Sequence, residues 1–69
     1  LPKRKSKIGT NIKKYRNEVG ISQDALSKRA GLAFHTIAKI ETGATPEPRN
    51  ETEKKIADAL RVNIDDLMK

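Results

Sequence analysis

Sixty-nine residues with no Cys, one His and a formal net charge of +6 leave room for a single domain. They exclude a disulfide framework, a thiolate zinc site and a cysteine nucleophile. No apolar run is long enough to span a bilayer, and "LPKRKSKIG" begins basic with no apolar stretch behind it. The chain therefore reads as a soluble protein, with a cytoplasmic location fitting its lack of Cys. Its charge is unevenly spread. Residues 1 to 19 carry seven basic residues and one acidic, residues 20 to 43 sum to +1, and residues 44 to 69 sum to −1. A basic pole of this kind suits a polyanion partner, although "KRKSK" is equally readable as a solubilising tail.

Five helices and no strand are expected, an all-α fold, with residues 1 to 6 a basic arm and residues 7 to 69 the folded domain. The first helix runs from about Lys7 to Val19, with Ser6 as its N-cap and Ile8, Ile12, Tyr15 and Val19 at helical spacing on one face. Gly20 suits the left-handed C-terminal position, and Ile21 packs back on the helix. Ser22 caps a short second helix, Gln23 to Ala30, whose buried side is Leu26 and Ala30 with Ala25 beside them. Asp24 in its first turn favours the helix dipole.

Gly31 then closes that helix as Gly20 closes the first, with Leu32 in the part of Ile21. A third helix, about Phe34 to Thr42, stops at Gly43. Its inward stripe is Ile37 and Ile40 with Ala33 a turn earlier, which leaves Phe34, His35, Ala38, Lys39 and Thr42 facing out. "ATPEPR" is a stiffened loop, because two prolines fall within three residues. A fourth helix covers about Asn50 to Leu60 and a last one Ile64 to Met68. The expected core is Ile8, Ile12, Leu26, Ala30, Leu32, Ile37, Ile40, Ile56, Leu60, Val62 and Leu67. The steep joint between the second and third helices exposes the only Phe and the only His of the chain at the start of the third.

Residues 20 to 43, "GISQDALSKRAGLAFHTIAKIETG", resemble the central signature of the Cro and phage-repressor type of helix-turn-helix domain, a large bacterial family of regulators. The Ser-Gln at a helix start, the following Ala and Leu, the central Gly and the closing Ile-Glu-x-Gly carry the likeness. "IGTNIKKYR" and "KIADALRVNIDDLM" extend it over roughly residues 8 to 68. The resemblance implies a compact five-helix, lambda-repressor-like fold whose third helix lies in the major groove of double-stranded DNA.

Carried over by residue, it gives Gln23 a phosphate at the start of the second helix. It sets Ala33, Phe34, His35 and Thr36 in the base-facing turn, with Lys39 one turn on. Phe34 suits a thymine methyl, His35 a guanine or a base amino group, and Lys39 a guanine or a phosphate. Thr42 and Thr45 suit phosphates better than bases, and Arg49 the DNA backbone or minor groove. Each has a plainer reading: Phe34 as core or interface, and His35, Lys39, Thr42 and Arg49 as solvated surface. Arg16 and Glu41 match a partly buried ion pair between the first and third helices, expected to orient the recognition helix.

Three departures from the family pattern stand out. Ala33 cannot cap the third helix, which weakens that end by about 1 kcal/mol. Asn50 and Glu53 replace large apolar residues, so "NETEKK" offers nothing apolar to bury before Ile56. Arg61 stands where Gly usually ends the fourth helix. These changes bring into question the fourth helix's first turns and the usual dimer surface.

The function implied is sequence-specific DNA binding by a transcriptional regulator, with repression the expected direction. A homodimer on a near-palindromic site is expected, weakly paired without DNA. The alternative is a protein-interaction module of the same fold, antitoxin-like or anti-repressor. An enzyme is disfavoured: the sole His has no adjacent Ser or Cys nucleophile, and no Gly-rich phosphate loop is present. No cofactor, metal, membrane or small-molecule substrate is expected.

Overall fold

The computed structural model describes residues 7–45 and 47–69. Among them five helices follow in order and no strand occurs: α1 Ile8–Val19, α2 Gln23–Ala30, α3 Phe34–Thr42, α4 Asn50–Leu60 and α5 Ile64–Met68. Lys7 takes the cap position of α1 without a side-chain hydrogen bond. The proposed cap Ser6 and the rest of the basic arm lie outside the described residues.

The glycine stops work as the sequence suggests. Gly20 has φ 84°, and both its N–H and that of Ile21 donate to the Arg16 carbonyl, at 2.8 and 3.1 Å. This satisfies a carbonyl that the helix end would otherwise leave open. Gly31 repeats the device at φ 69°, with the Leu32 N–H donating to the Ser27 carbonyl at 2.9 Å. At the other end of α2, the Ser22 hydroxyl accepts from the Ala25 N–H at 3.0 Å.

The core comprises Ile8, Ile12, Leu26, Ile37, Ile40, Ile56, Ala57, Leu60 and Leu67, with Ala30 also buried. Leu32 and Val62 are only half-buried and pack at its edge, because each follows a helix stop and covers the core from outside. Ala57 joins the core unforeseen, and so does Ser27, whose hydroxyl escapes desolvation by donating to the Asp24 carbonyl at 2.7 Å. Val19 departs from its expected place on the buried face, being 49% exposed. Burial fades along α1 from Ile8 and Ile12 to a half-buried Tyr15, and residues 17 to 19 are exposed.

Helix α4 begins regularly at Asn50 despite its polar first turns, and Glu53 within them is buried, only 8% exposed. That loss of water raises the Glu53 pKa above the ordinary carboxylate value. At the far end Arg61 adopts φ 60°, the left-handed conformation that Gly takes elsewhere in the chain, and the Val62 N–H closes the turn on the Ala57 carbonyl at 2.9 Å. α5 is pinned to α1 by the Asn11 side chain, which donates to the Leu67 carbonyl at 2.7 Å.

One close approach sets the seat of α3. Gly9 is buried, and a Cβ there would be driven into the Ile40 carbonyl and lie 3.1 Å from the Glu41 Cα. Only a residue without a side chain lets α1 rest directly on the backbone of α3.

Candidate nucleic-acid interface

The exposed face of α3 follows from its buried one. Ile37 and Ile40 are fully buried, so the helix presents Phe34, His35, Lys39 and Thr42 to solvent. Ala33 belongs with them. It is exposed, in an extended conformation ahead of the helix, and is not the start of the inward stripe. As expected of Ala, it offers no side-chain cap. Thr36 and Ala38 are half-buried on the flanks, so Ala38 does not face out freely.

Phe34 is 46% exposed, an unusual state for the only Phe of a domain with a small core. Its ring meets that of His35 edge-on, with centroids 6.4 Å apart. The two rings project together from the first turn of α3.

Beside this face runs a shallow open groove. His35 and Lys39 line one side from α3, and Thr45, Glu47, Pro48 and Arg49 line the other from the α3–α4 loop. Lys39 and Arg49 thus share one concavity, although they lie ten positions apart in sequence. Thr42 is not part of it. Its hydroxyl donates to the Lys39 carbonyl at 3.1 Å and accepts from the Ala44 N–H at 3.4 Å, closing the end of α3. Thr45 keeps its place in the groove.

A polar cluster holds α3 against its neighbours. Arg16 of α1 grips Glu41 of α3 with two parallel bonds, Nε to Oε2 at 2.8 Å and Nη2 to Oε1 at 3.1 Å. Its remaining Nη1 donates to the Ile21 carbonyl at 3.0 Å. Both side chains are largely withdrawn from water, 12% and 4% exposed. The hydrogen bonding of Arg16 to Glu41 raises the Arg16 pKa; burial opposes this, and the carboxylate's charge adds to it. The pairing is bidentate and planar, a geometry that Arg supplies and Lys does not.

Gln23 completes the cluster, its Nε2 donating to Glu41 Oε1 at 3.0 Å. Glu41 therefore ties the second helix of the motif as well as the first to α3. A carboxamide nitrogen has two protons, so Gln23 retains an N–H for an anion near the start of α2. The resemblance gives Gln23 a phosphate, and nothing in the sequence names Glu41 as its partner. Gly9 was missed altogether, although a Gly between Ile8 and Ile12, within the apolar stripe, is the local signal of a close approach.

Comparison with known proteins agrees with this architecture. Residues 12–67 match the family described as helix-turn-helix. The chain is 33% identical over 61 residues to the HTH-type transcriptional regulator SinR of Bacillus subtilis, covering 88% of this chain and 55% of that protein. It thus spans about half the length of the curated relatives it matches. The crystal structure of SinR in complex with DNA superposes with a TM-score of 0.86 at 32% identity, over 90% of this chain and 98% of that one. The P22 c2 repressor in complex with a synthetic operator gives 0.79 at 31%, over 90% and 92%.

Proposed function

This chain belongs to the helix-turn-helix family, and from that membership we propose that it binds double-stranded DNA sequence-specifically as a transcriptional regulator, acting to repress. One observation carries the reading. The first turn of α3 projects an aromatic pair, Phe34 and His35, directly beside a groove that gathers Lys39 and Arg49. Base-edge chemistry and phosphate chemistry thus lie next to each other on one face.

In this reading α3 enters the major groove. Phe34 packs on a thymine methyl, His35 hydrogen-bonds a guanine or a base amino group, and Ala33 and Thr36 flank them. Lys39, Arg49 and Thr45 hold the backbone on the α4 side, and the second N–H of Gln23 holds a phosphate on the other. Arg16 and Glu41 touch no DNA and fix the angle of α3. Two copies bind a near-palindromic site, with half-sites about 34–36 Å apart or a multiple of that. The activity is one of binding, with no catalytic step.

The test is a selection from random duplexes at stated salt, followed by affinity measurements on selected and random DNA. Lys39→Ala and Arg49→Ala should weaken both alike and flatten the slope of log affinity against log salt by up to about one unit. Phe34→Ala and His35→Ala should each cost about 1–3 kcal/mol on the selected site and little on random DNA. If no duplex is enriched, the DNA-binding reading is wrong, and the protein-interaction module of the same fold takes its place. A specific-to-random ratio left intact by Phe34→Ala would return Phe34 to a protein interface.

A further inference from the structure

One acidic residue shares the groove with the cations. Glu47 is exposed and lines it with His35, Lys39 and Arg49. Among the described residues it enters no ion pair; the carboxylates that do are Glu41, Asp24 and Asp66. Its place in the chain is narrowly set. Pro48 follows it, and a Pro restricts the backbone of the residue before it. The loop is also fastened at both ends. The Thr45 N–H donates to the Lys39 carbonyl at 3.1 Å, and the Glu53 N–H to the Arg49 carbonyl at 2.9 Å.

A carboxylate so placed works against the cations beside it, because it repels the phosphates that they attract. It also brings a capacity that no other groove side chain has in ionised form, that of a charged acceptor. In the major groove the amino group of cytosine is the natural donor to such an acceptor.

Resting on the DNA-binding reading above, we propose that Glu47 is a specificity-determining residue. Its carboxylate opposes the backbone of every duplex, and this cost is offset only where a cytosine amino group meets it. Two unit charges some 6–8 Å apart in near-aqueous surroundings repel enough to change affinity by about three- to tenfold. The residue is therefore a filter that lowers random binding more than cognate binding.

The experiment measures fluorescence anisotropy on a duplex selected with the wild-type protein and on a random duplex of equal length. Glu47→Ala is compared with Glu51→Ala, which removes the same charge from an exposed position of α4 that is not among the groove residues. Glu47→Ala should strengthen random binding about three- to tenfold and steepen its salt dependence by up to about 0.9. It should strengthen the selected duplex less or weaken it, so that the specific-to-random ratio falls at least about threefold, while Glu51→Ala leaves that ratio unchanged. An unchanged ratio in Glu47→Ala, or an equal fall in Glu51→Ala, overturns the assignment to Glu47 alone. Should the wild-type protein prefer no duplex, the DNA-binding reading fails first and the filter with it.

Discussion

Arg61 closes α4 at φ 60°, where its Cβ crowds the carbonyl that a glycine leaves free. An L-residue held there costs about 1–2 kcal/mol, and the turn is kept because Val62 gains from packing against the core. Arg61→Gly should therefore raise the free energy of unfolding by about 1 kcal/mol, read as a higher denaturation midpoint.

Glu53 is the second side chain under cost. Burial raises its pKa in the folded state above the ordinary value, so between the two values the folded protein holds more of the proton than the unfolded chain does. Its penalty is thus present in full above the folded-state pKa. It is relieved as pH falls through that value toward the unfolded one. Glu53→Gln should stabilise the domain at neutral pH by on the order of 1 kcal/mol, and the advantage should shrink on acidification. A difference between the two proteins that stays flat with pH would contradict this account of Glu53.

Between elements, the decisive contacts are those that seat α3. Glu41 receives bonds from Arg16 on α1 and Gln23 on α2, so three helices meet at one carboxylate. Glu41→Gln leaves the guanidinium largely buried opposite a neutral amide and should cost about 1.5–3 kcal/mol. A stability loss alone would make the cluster merely structural. Its role in orientation predicts, in addition, a lower specific-to-random ratio at a temperature where the variant remains folded. Random binding should change little, because Lys39 and Arg49 are untouched. Gly9 acts on the same joint through the backbone. Gly9→Ala forces a methyl against the Ile40 carbonyl and should cost about 1–3 kcal/mol in thermal or chemical denaturation.

At the scale of the whole molecule the question is how two copies meet. The first turns of α4 expose Asn50 and Glu51 and bury Glu53, so this end offers no apolar patch to a second subunit. Exposed Met68 stands apart on α5, a single side chain and not a patch. Free of DNA, the chain should sediment as a monomer or a weak dimer at micromolar concentration, and pair only on adjacent half-sites. A tight dimer without DNA would locate the pairing surface elsewhere, with α5 the first place to look. The charge balance belongs to this scale too. The excess of +6 resides in residues 1 to 19, whereas the groove cations come from α3 and the loop that follows it. The N-terminal basic residues within the described part are Lys7, Lys13, Lys14 and Arg16, and Arg16 is already committed to Glu41.

Local rules were enough to read five helices with their stops, because capping Ser22 and the left-handed glycines act within a few residues of themselves. They were enough for most of the core as well, since helical spacing alone assigns Ile8, Ile12, Leu26, Ile37, Ile40, Ile56 and Leu67 to one side. The outward turn of α3 was legible for the same reason. What escaped depends on distance between segments. Val19 fits the apolar period yet is exposed, because the packing of the other helices leaves its side of the end of α1 uncovered. Glu53 keeps the helical period of Ile56, Ala57 and Leu60, but that a carboxylate is covered there is decided by the rest of the fold. The meeting of Gln23 with Glu41, the contact under Gly9, and the placing of Glu47 among His35, Lys39 and Arg49 all join residues brought together only when the helices pack. Periodicity fixes which way a side chain faces along its own helix, and only the packing of one helix on another decides what it meets there.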